Sequence, residues 1–176
     1  MPDTNYLFRL TKLLSVAAIG LLALLIVIGN TTDYYSNYYF VAHVMKMDTI
    51  FPDSQIHYRS IQQPVLFHIG YILIILLEAA MAFFCIKGSW LLYKSLHQPA
   101  TAFHAAKKWA VAGIAIGILI WFAGFEVIGG EWFGMWQRSQ WNGLSSAERI
   151  LSFLVLTLLL LHFPEAEINN EIKDKS

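Results

Sequence analysis

Four ionisable side chains, Glu78, Glu126, His68 and His162, fall inside long apolar runs of the chain. A charge placed there is costly, so each marks a candidate site by default. A histidine and a carboxylate at one depth could form a structural clamp or the floor of a pocket. A lone buried acid could relay a proton or bind a partner.

Helical rise of about 1.5 Å per residue allows their depths to be compared. His68 follows Pro64 by four residues, roughly 6 Å into its run, and Glu126 precedes the outer end of its run by roughly 3–5 Å. Asn30 and Asp33 close the first run at that same level. The expected outer-face cluster is therefore His68, Glu126 and Asp33, joined by Glu131 and Arg138 and lying beneath Trp132 and Trp136. Glu78 lies deeper, roughly 21 Å from the outer end of its run. Its small neighbours Ala79, Ala80 and Ala82 suggest a bundle-facing stretch. The simple reading is a protonated acid hydrogen-bonded to a neighbouring helix, such as the one carrying Thr157. The sharper reading is a proton relay or a partner-binding group. His162 sits at the inner end of its run, where histidine suits both the interface and a helix C-terminus.

Several chemistries find no support. His68 and His162 lie at opposite depths, which disfavours a bis-histidine haem. His43 and His57 belong to an outer loop, His97 and His104 to an inner one, and none has metal-ligand spacing, so no metal and no cofactor is expected. The single cysteine, Cys85, excludes an internal disulfide. No phosphate loop, nucleophile elbow or enzyme-like carboxylate pair occurs, and a net charge of zero gives no reason to expect nucleic acid. Asn30-Thr31-Thr32 matches a glycosylation sequon but is uninformative without a eukaryotic context.

The elements that carry these residues are membrane spans. The chain of 176 residues is 57 % hydrophobic and 14 % charged, with mean hydropathy +0.52, against about a quarter charged in a soluble domain. Spans are expected over residues 13–29, 65–86, 109–128 and 147–163, each near the about 20 apolar residues a bilayer requires. The first has the length of an uncleaved anchor rather than a signal peptide. Pro64 opens the second, Gly129-Gly130 closes the third, and Ser145 with Glu148 forms a capping box for the fourth, which stops at Pro164. Gly113-x-x-x-Gly117 reads as close packing inside the bundle.

Arg9, Lys12, Lys87, Lys94, Lys107, Lys108, Lys173 and Lys175 lie on one side of these spans, and only Lys46, Arg59, Arg138 and Arg149 on the other. The excess places both termini in the cytoplasm and, in a bacterium, the first and third loops in the periplasm. The first loop is rich in tyrosine, and Phe40, Val44, Met47 and Phe51 recur at helical spacing, which predicts a short amphipathic helix at the outer interface. The third loop carries Trp132, Phe133, Trp136 and Trp141. These aromatics read either as an interfacial belt or as a cap that forms a ligand or partner surface.

The segment Trp121-Phe122-Ala123-Gly124-Phe125-Glu126-Val127-Ile128-Gly129-Gly130-Glu131-Trp132-Phe133-Gly134-Met135-Trp136, with the tyrosine-rich outer loop and a second span holding Glu78, resembles a bacterial family of predicted small integral membrane proteins. That family is a domain of unknown function. The resemblance implies membrane topology and bacterial origin and carries over no catalytic residue.

The chain is thus expected to be one all-α integral membrane domain, residues 1–176, with four transmembrane helices in a bundle under a periplasmic cap. The expected function is non-enzymatic: an accessory, assembly or binding subunit of the bacterial inner membrane. Its partners would be the lipid bilayer and other membrane subunits or a second copy. The alternative is a membrane enzyme or small transporter handling a lipid-soluble molecule, a quinone or a lipid, at the outer end of the bundle. Reporter fusions after Lys94 and Lys173 should read cytoplasm, and fusions after Asp53 and Gly143 periplasm. A periplasmic signal after Lys173 would make the last apolar run re-entrant.

Overall fold

The computed structural model describes residues 3–168, so Lys173 and Lys175 lie outside the described residues. Most of those described are helical, and none forms a strand. The α-helices are α1 (Thr4–Thr32), α2 (Tyr34–Lys46), α3 (Pro64–Lys94), α4 (Ala100–Ala106), α5 (Lys108–Ile118) and α6 (Leu144–His162), and α5 runs on into a π-helical segment, Leu119–Trp132. Four stretches are long and apolar enough to cross a bilayer: Thr4–Thr32, Pro64–Lys94, Ala100–Trp132 and Leu144–His162.

Local chemistry accounts for several helix ends. Asp3 caps α1 by accepting from the Asn5 amide at 3.2 Å. Pro64 opens α3 at a position where its missing N–H is no loss. Met47 ends α2 in the left-handed region at φ 57°. α6 begins differently from the capping-box expectation: Ser145 and Glu148 make no cap, and the Asn142 side chain instead accepts from the Leu144 amide at 3.1 Å. Gly143 precedes the helix, two residues earlier than Ser145.

The spans also run further than the apolar runs alone imply. α3 extends to Lys94, about 46 Å at 1.5 Å per residue, and places Lys87 and Lys94 on a helix rather than in a loop. There they lie over the rings of Trp109 and Trp90, at 3.6 and 3.7 Å from the centroids. Gly129-Gly130 does not end the third span. Those glycines admit neighbours: a Cβ on Gly129 would come within 2.5 Å of Met135 Cε, and one on Gly130 within 3.2 Å of Leu144.

α3 packs along α1 on one side and α5 on the other, while α6 closes the bundle against α5 and the π segment. The buried face of α3 reads Glu78, Met81, Ala82, Cys85, Gly88 and Leu92, at the spacing of one helical face. It meets Val16, Ile19 and Ala23 of α1, Ile114 of α5, and Leu154 and Leu161 of α6. Both Gly113 and Gly117 serve internal contacts, facing Cys85 and the Met81–Leu154 pair. Leu21, Leu25, Leu73, Leu76, Leu156 and Leu159 are exposed, an outward apolar surface that suits lipid.

At the end of the bundle where α1 begins and α6 ends, three cations are buried. Arg9 is fully buried and Lys12 and Lys107 nearly so. Both lysine ammoniums donate to Glu165 Oε1 at 2.5 Å, and Arg9 Nε lies 4.0 Å from Oε2. The cations also satisfy the free carbonyls around the α6 C-terminus: Lys107 donates to Leu161 and Phe163, Lys12 to Phe163, and Arg9 to Ala166. Arg9 further donates to Leu96 and Gln98 and covers the Phe103 ring.

Burial by itself would raise the Glu165 carboxyl, but hydrogen bonds from Lys107 and Lys12 outweigh it and hold the group below its ordinary 4.5. A carboxyl so depressed contributes stability above its unfolded value and loses it as pH falls through the folded one. Detergent-solubilised protein should therefore melt at a steady temperature above about pH 5 and progressively lower below about pH 4.5. Glu165→Ala strands three buried cations and should cost about 3–5 kcal/mol at neutral pH. Its melting temperature should lose the part of the acid dependence that belongs to Glu165.

Candidate functional site

The loop-bearing end of the bundle has its own small core. Val44, Met47 and Ile50 from the first connection pack on Phe133 and Met135 from the third. Arg138 fastens the two. Its guanidinium donates to the carbonyls of His43 (2.8 Å), Val44 (2.9 Å) and Phe133 (3.1 Å), the first two of which also accept from the Met47 amide at the end of α2. Burial lowers the pKa of this guanidinium while the Asp48 charge opposes the shift. Arg59 makes a second link, donating to the Glu131 and Trp132 carbonyls and lying 4.9 Å over the Trp132 ring. Phe51, expected on the apolar stripe of α2, lies beyond its end at Lys46, is exposed and pairs edge-on with Trp136.

Beneath this cap a hydrogen-bonded chain leads inward. The exposed Asn37 on α2 donates through its amide to Asn30 Oδ1 at 2.7 Å. Asn30 Nδ2 donates to Glu78 Oε2 at 2.7 Å, and the Asn30 carbonyl accepts from the Tyr71 hydroxyl at 3.2 Å. Asn30 is 6 % exposed and Glu78 4 %, so these are buried contacts in which every partner counts. The partner of Glu78 is thus Asn30 on α1, and not the α6 residue Thr157.

One hollow adjoins this chain, and a second lies beside the first. The first, about 170 Å³, is lined by Asn30, Asn37, Tyr71, Glu78 and Trp121 among others. The second, about 330 Å³, is an apolar crevice between α2, α3 and the π segment. Phe40, Val41, Ile74 and Phe125 line both. The π segment forms the far wall of the crevice through residues 119–129. Such i→i+5 bonding is uncommon and occurs mostly as single turns near functional sites. It closes here with the Phe133 amide donating to the Ile128 carbonyl at 3.0 Å.

No hydrogen bond or ion pair among the described residues joins the outer-face residues His68, Glu126, Asp33, Glu131 and Arg138 to one another. His68 Nδ1 is bonded to the Tyr34 hydroxyl at 2.8 Å, and its ring stacks on Tyr38 with centroids 4.3 Å apart. Burial and then the neighbouring tyrosines Tyr38 and Tyr35 raise the Tyr34 phenol above its ordinary value. His68 and Glu126 share no hydrogen bond or ion pair among the described residues. Asp33 accepts from Ser36, Glu131 contributes its carbonyl to Arg59, and Trp132 and Trp136 lie on the exposed face of the cap.

The depth arithmetic for Glu126 assumed an α-helix ending at residue 128. The π segment carries more residues per turn and continues to Trp132, which changes both the depth and the facing of Glu126. Asn30 lies deeper than the first apolar run implies, because α1 continues as helix to Thr32 and lies alongside the Tyr71–Glu78 stretch. Tyr34, Asn37 and Tyr71 had no distinguishing signal in the sequence beyond their aromatic or amide chemistry. No group of three His, Cys, Asp or Glu among the described residues is placed to hold a metal ion.

Fold and site together define a polytopic integral membrane protein with four apolar helices and a polar chain reaching into the bundle. The chain belongs to the family described as predicted small integral membrane protein, whose model matches residues 8–164. No curated protein and no solved structure matches it significantly.

Glu78→Gln keeps an acceptor facing Asn30 Nδ2 and should leave thermal stability in detergent nearly unchanged. Glu78→Ala strands that buried amide and should destabilise by about 1–3 kcal/mol. In a double-mutant cycle with Asn30→Ala the losses should be less than additive, since each substitution removes the same bond.

Proposed function

We propose that the protein is a small bacterial inner-membrane binding subunit, cap toward the periplasm and termini toward the cytoplasm, that holds a lipid-soluble molecule beneath the cap. The observation that carries this reading is the apolar crevice abutting the cavity with Glu78 and Asn30. An apolar enclosure with a few convergent polar groups is the usual composition of a small-molecule site, and the two hollows together fall within the range of about 300–1,000 Å³. A quinone or lipid would lay its apolar body along Leu73, Leu77 and Ile120 and turn a carbonyl or hydroxyl toward Asn30 and Glu78. Binding alone requires no nucleophile or metal. Proton exchange through Glu78, Asn30 and Asn37 would extend the same site toward transport or catalysis.

A second reading rests on the cap surface, where Tyr35, Tyr58, Trp132 and Trp136 are exposed. Aromatic side chains are enriched in protein–protein contacts, and this face suits an accessory or assembly role beside another membrane subunit.

Gly124 lines the crevice, and a Cβ there has nothing nearer than the Leu119 carbonyl at 3.9 Å. Gly124→Phe should therefore fill the crevice and leave the fold intact. The measurement is mass spectrometry of small molecules extracted from protein purified in mild detergent. The first reading expects one quinone or lipid species in near-stoichiometric amount with wild type, reduced at least about tenfold in Gly124→Phe, which corresponds to the loss of about 1.4 kcal/mol of binding. Equal retention by both proteins would sink it, and a stoichiometric co-purifying protein with no enriched small molecule would favour the second.

A further inference from the structure

A groove of about 820 Å³ lies at the opposite end of the bundle, between the α4–α5 junction and the last turns of α6. Its polar rim is basic: His104, Lys108 and His162 are all exposed there. Its remaining walls are apolar, with Val111 and Leu159 both 39 % or more exposed on the surface that faces outward from the bundle. No acid lines it. We infer that this groove is a binding site for an anionic phospholipid, with the phosphate held by Lys108, His104 and His162 and an acyl chain laid along Val111 and Leu159.

The geometry answers the obvious objection. The C-terminal end of a helix is negative and should repel a phosphate, and α6 ends at this groove. Lys107 removes that obstacle. Its buried ammonium donates to the Leu161 and Phe163 carbonyls at 2.7 and 3.1 Å and to Glu165. The carbonyls and the carboxylate that would repel the phosphate are thereby occupied from inside. Lys107 has all its donors committed and acts on the groove only by covering that negative end. Lys108, the next residue, is exposed and donates to no described side chain or carbonyl. A lysine ammonium and two imidazoles suit phosphate oxygens, and basic hollows between membrane helices are a known setting for acidic headgroups. The apolar wall continues into the exposed leucines of α6, so a bound lipid keeps its chains in the bilayer. A free phosphate would leave this wall unused.

The test uses the full chain in detergent and native mass spectrometry, titrating phosphatidylglycerol against phosphatidylcholine of identical acyl chains. Wild type should retain phosphatidylglycerol preferentially. Lys108→Gln should weaken that retention about fivefold, the contribution of one surface lysine near an acidic lipid, and Lys108→Gln with His162→Gln should abolish the preference. Val111→Trp, which fills the apolar wall and leaves every cation in place, should lower retention of both lipids. Equal binding of the two lipids by wild type would overturn the proposal, as would a preference untouched by the double substitution. Inorganic phosphate that binds alone and displaces the lipid at equal concentration would overturn the lipid assignment. Should a variant fail to fold, the selectivity of wild type together with Val111→Trp decides. None of these residues touches the cavity at the cap, so the outcome is independent of ligand retention there.

Discussion

Three cations converge on one carboxylate at the end of the bundle where α1 begins and α6 ends, and that contact ties three segments of the chain together. Glu165 lies just past the end of α6, Arg9 and Lys12 on the first turns of α1, and Lys107 between α4 and α5. Charges withdrawn from water must be paired and hydrogen-bonded or they destabilise the fold. Here the same side chains that neutralise Glu165 also take up the free carbonyls at the α6 terminus. Three separate segments are thereby held at one point, even though α6 is the shortest of the spans.

The same requirement recurs at the cap with a single guanidinium. Arg138 brings the end of α2 and the turn after the π segment together by taking carbonyls from both. The small core of Val44, Met47, Phe133 and Met135 forms around that junction. Between the two clasps the Asn37–Asn30–Glu78 chain is set in a largely apolar bundle. A polar chain in this setting is a specific feature, because its groups have no water to fall back on. The crevice beside it exists because α2 folds over α3 within two residues of the end of α1 and because the π segment is wider than an α-helix.

Much of the architecture was legible in the residues alone. Four apolar runs bounded by Pro64, polar clusters and Pro164 could hardly be anything but spans, since run length and bilayer thickness are directly comparable. A helix in the tyrosine-rich connection was legible from the spacing of Phe40, Val44 and Met47, and Gly113 with Gly117 from their spacing. The burial of Glu78 could be inferred from its small neighbours. Arg9, Lys12 and Lys107 could be assigned a side of the membrane by counting, but counting treats each as a free surface charge. Their burial depends on Glu165, more than 50 residues distant from each in the chain.

What the sequence by itself determined is the partition between lipid and water: which stretches cross, which face is rich in aromatics, and which acids lie where charge is costly. These follow from local composition, because transfer free energy is a property of each stretch taken alone. The tertiary structure decided the partners. Glu78 meets Asn30 rather than Thr157, and His68 meets Tyr34 rather than Glu126. Depth along a helix can be counted from sequence only if the helix is regular, and neither the π segment nor the extra turns of α1 and α3 obey that count. Which face turns toward which neighbour is settled by packing among all the helices at once, and no single run of residues contains that information.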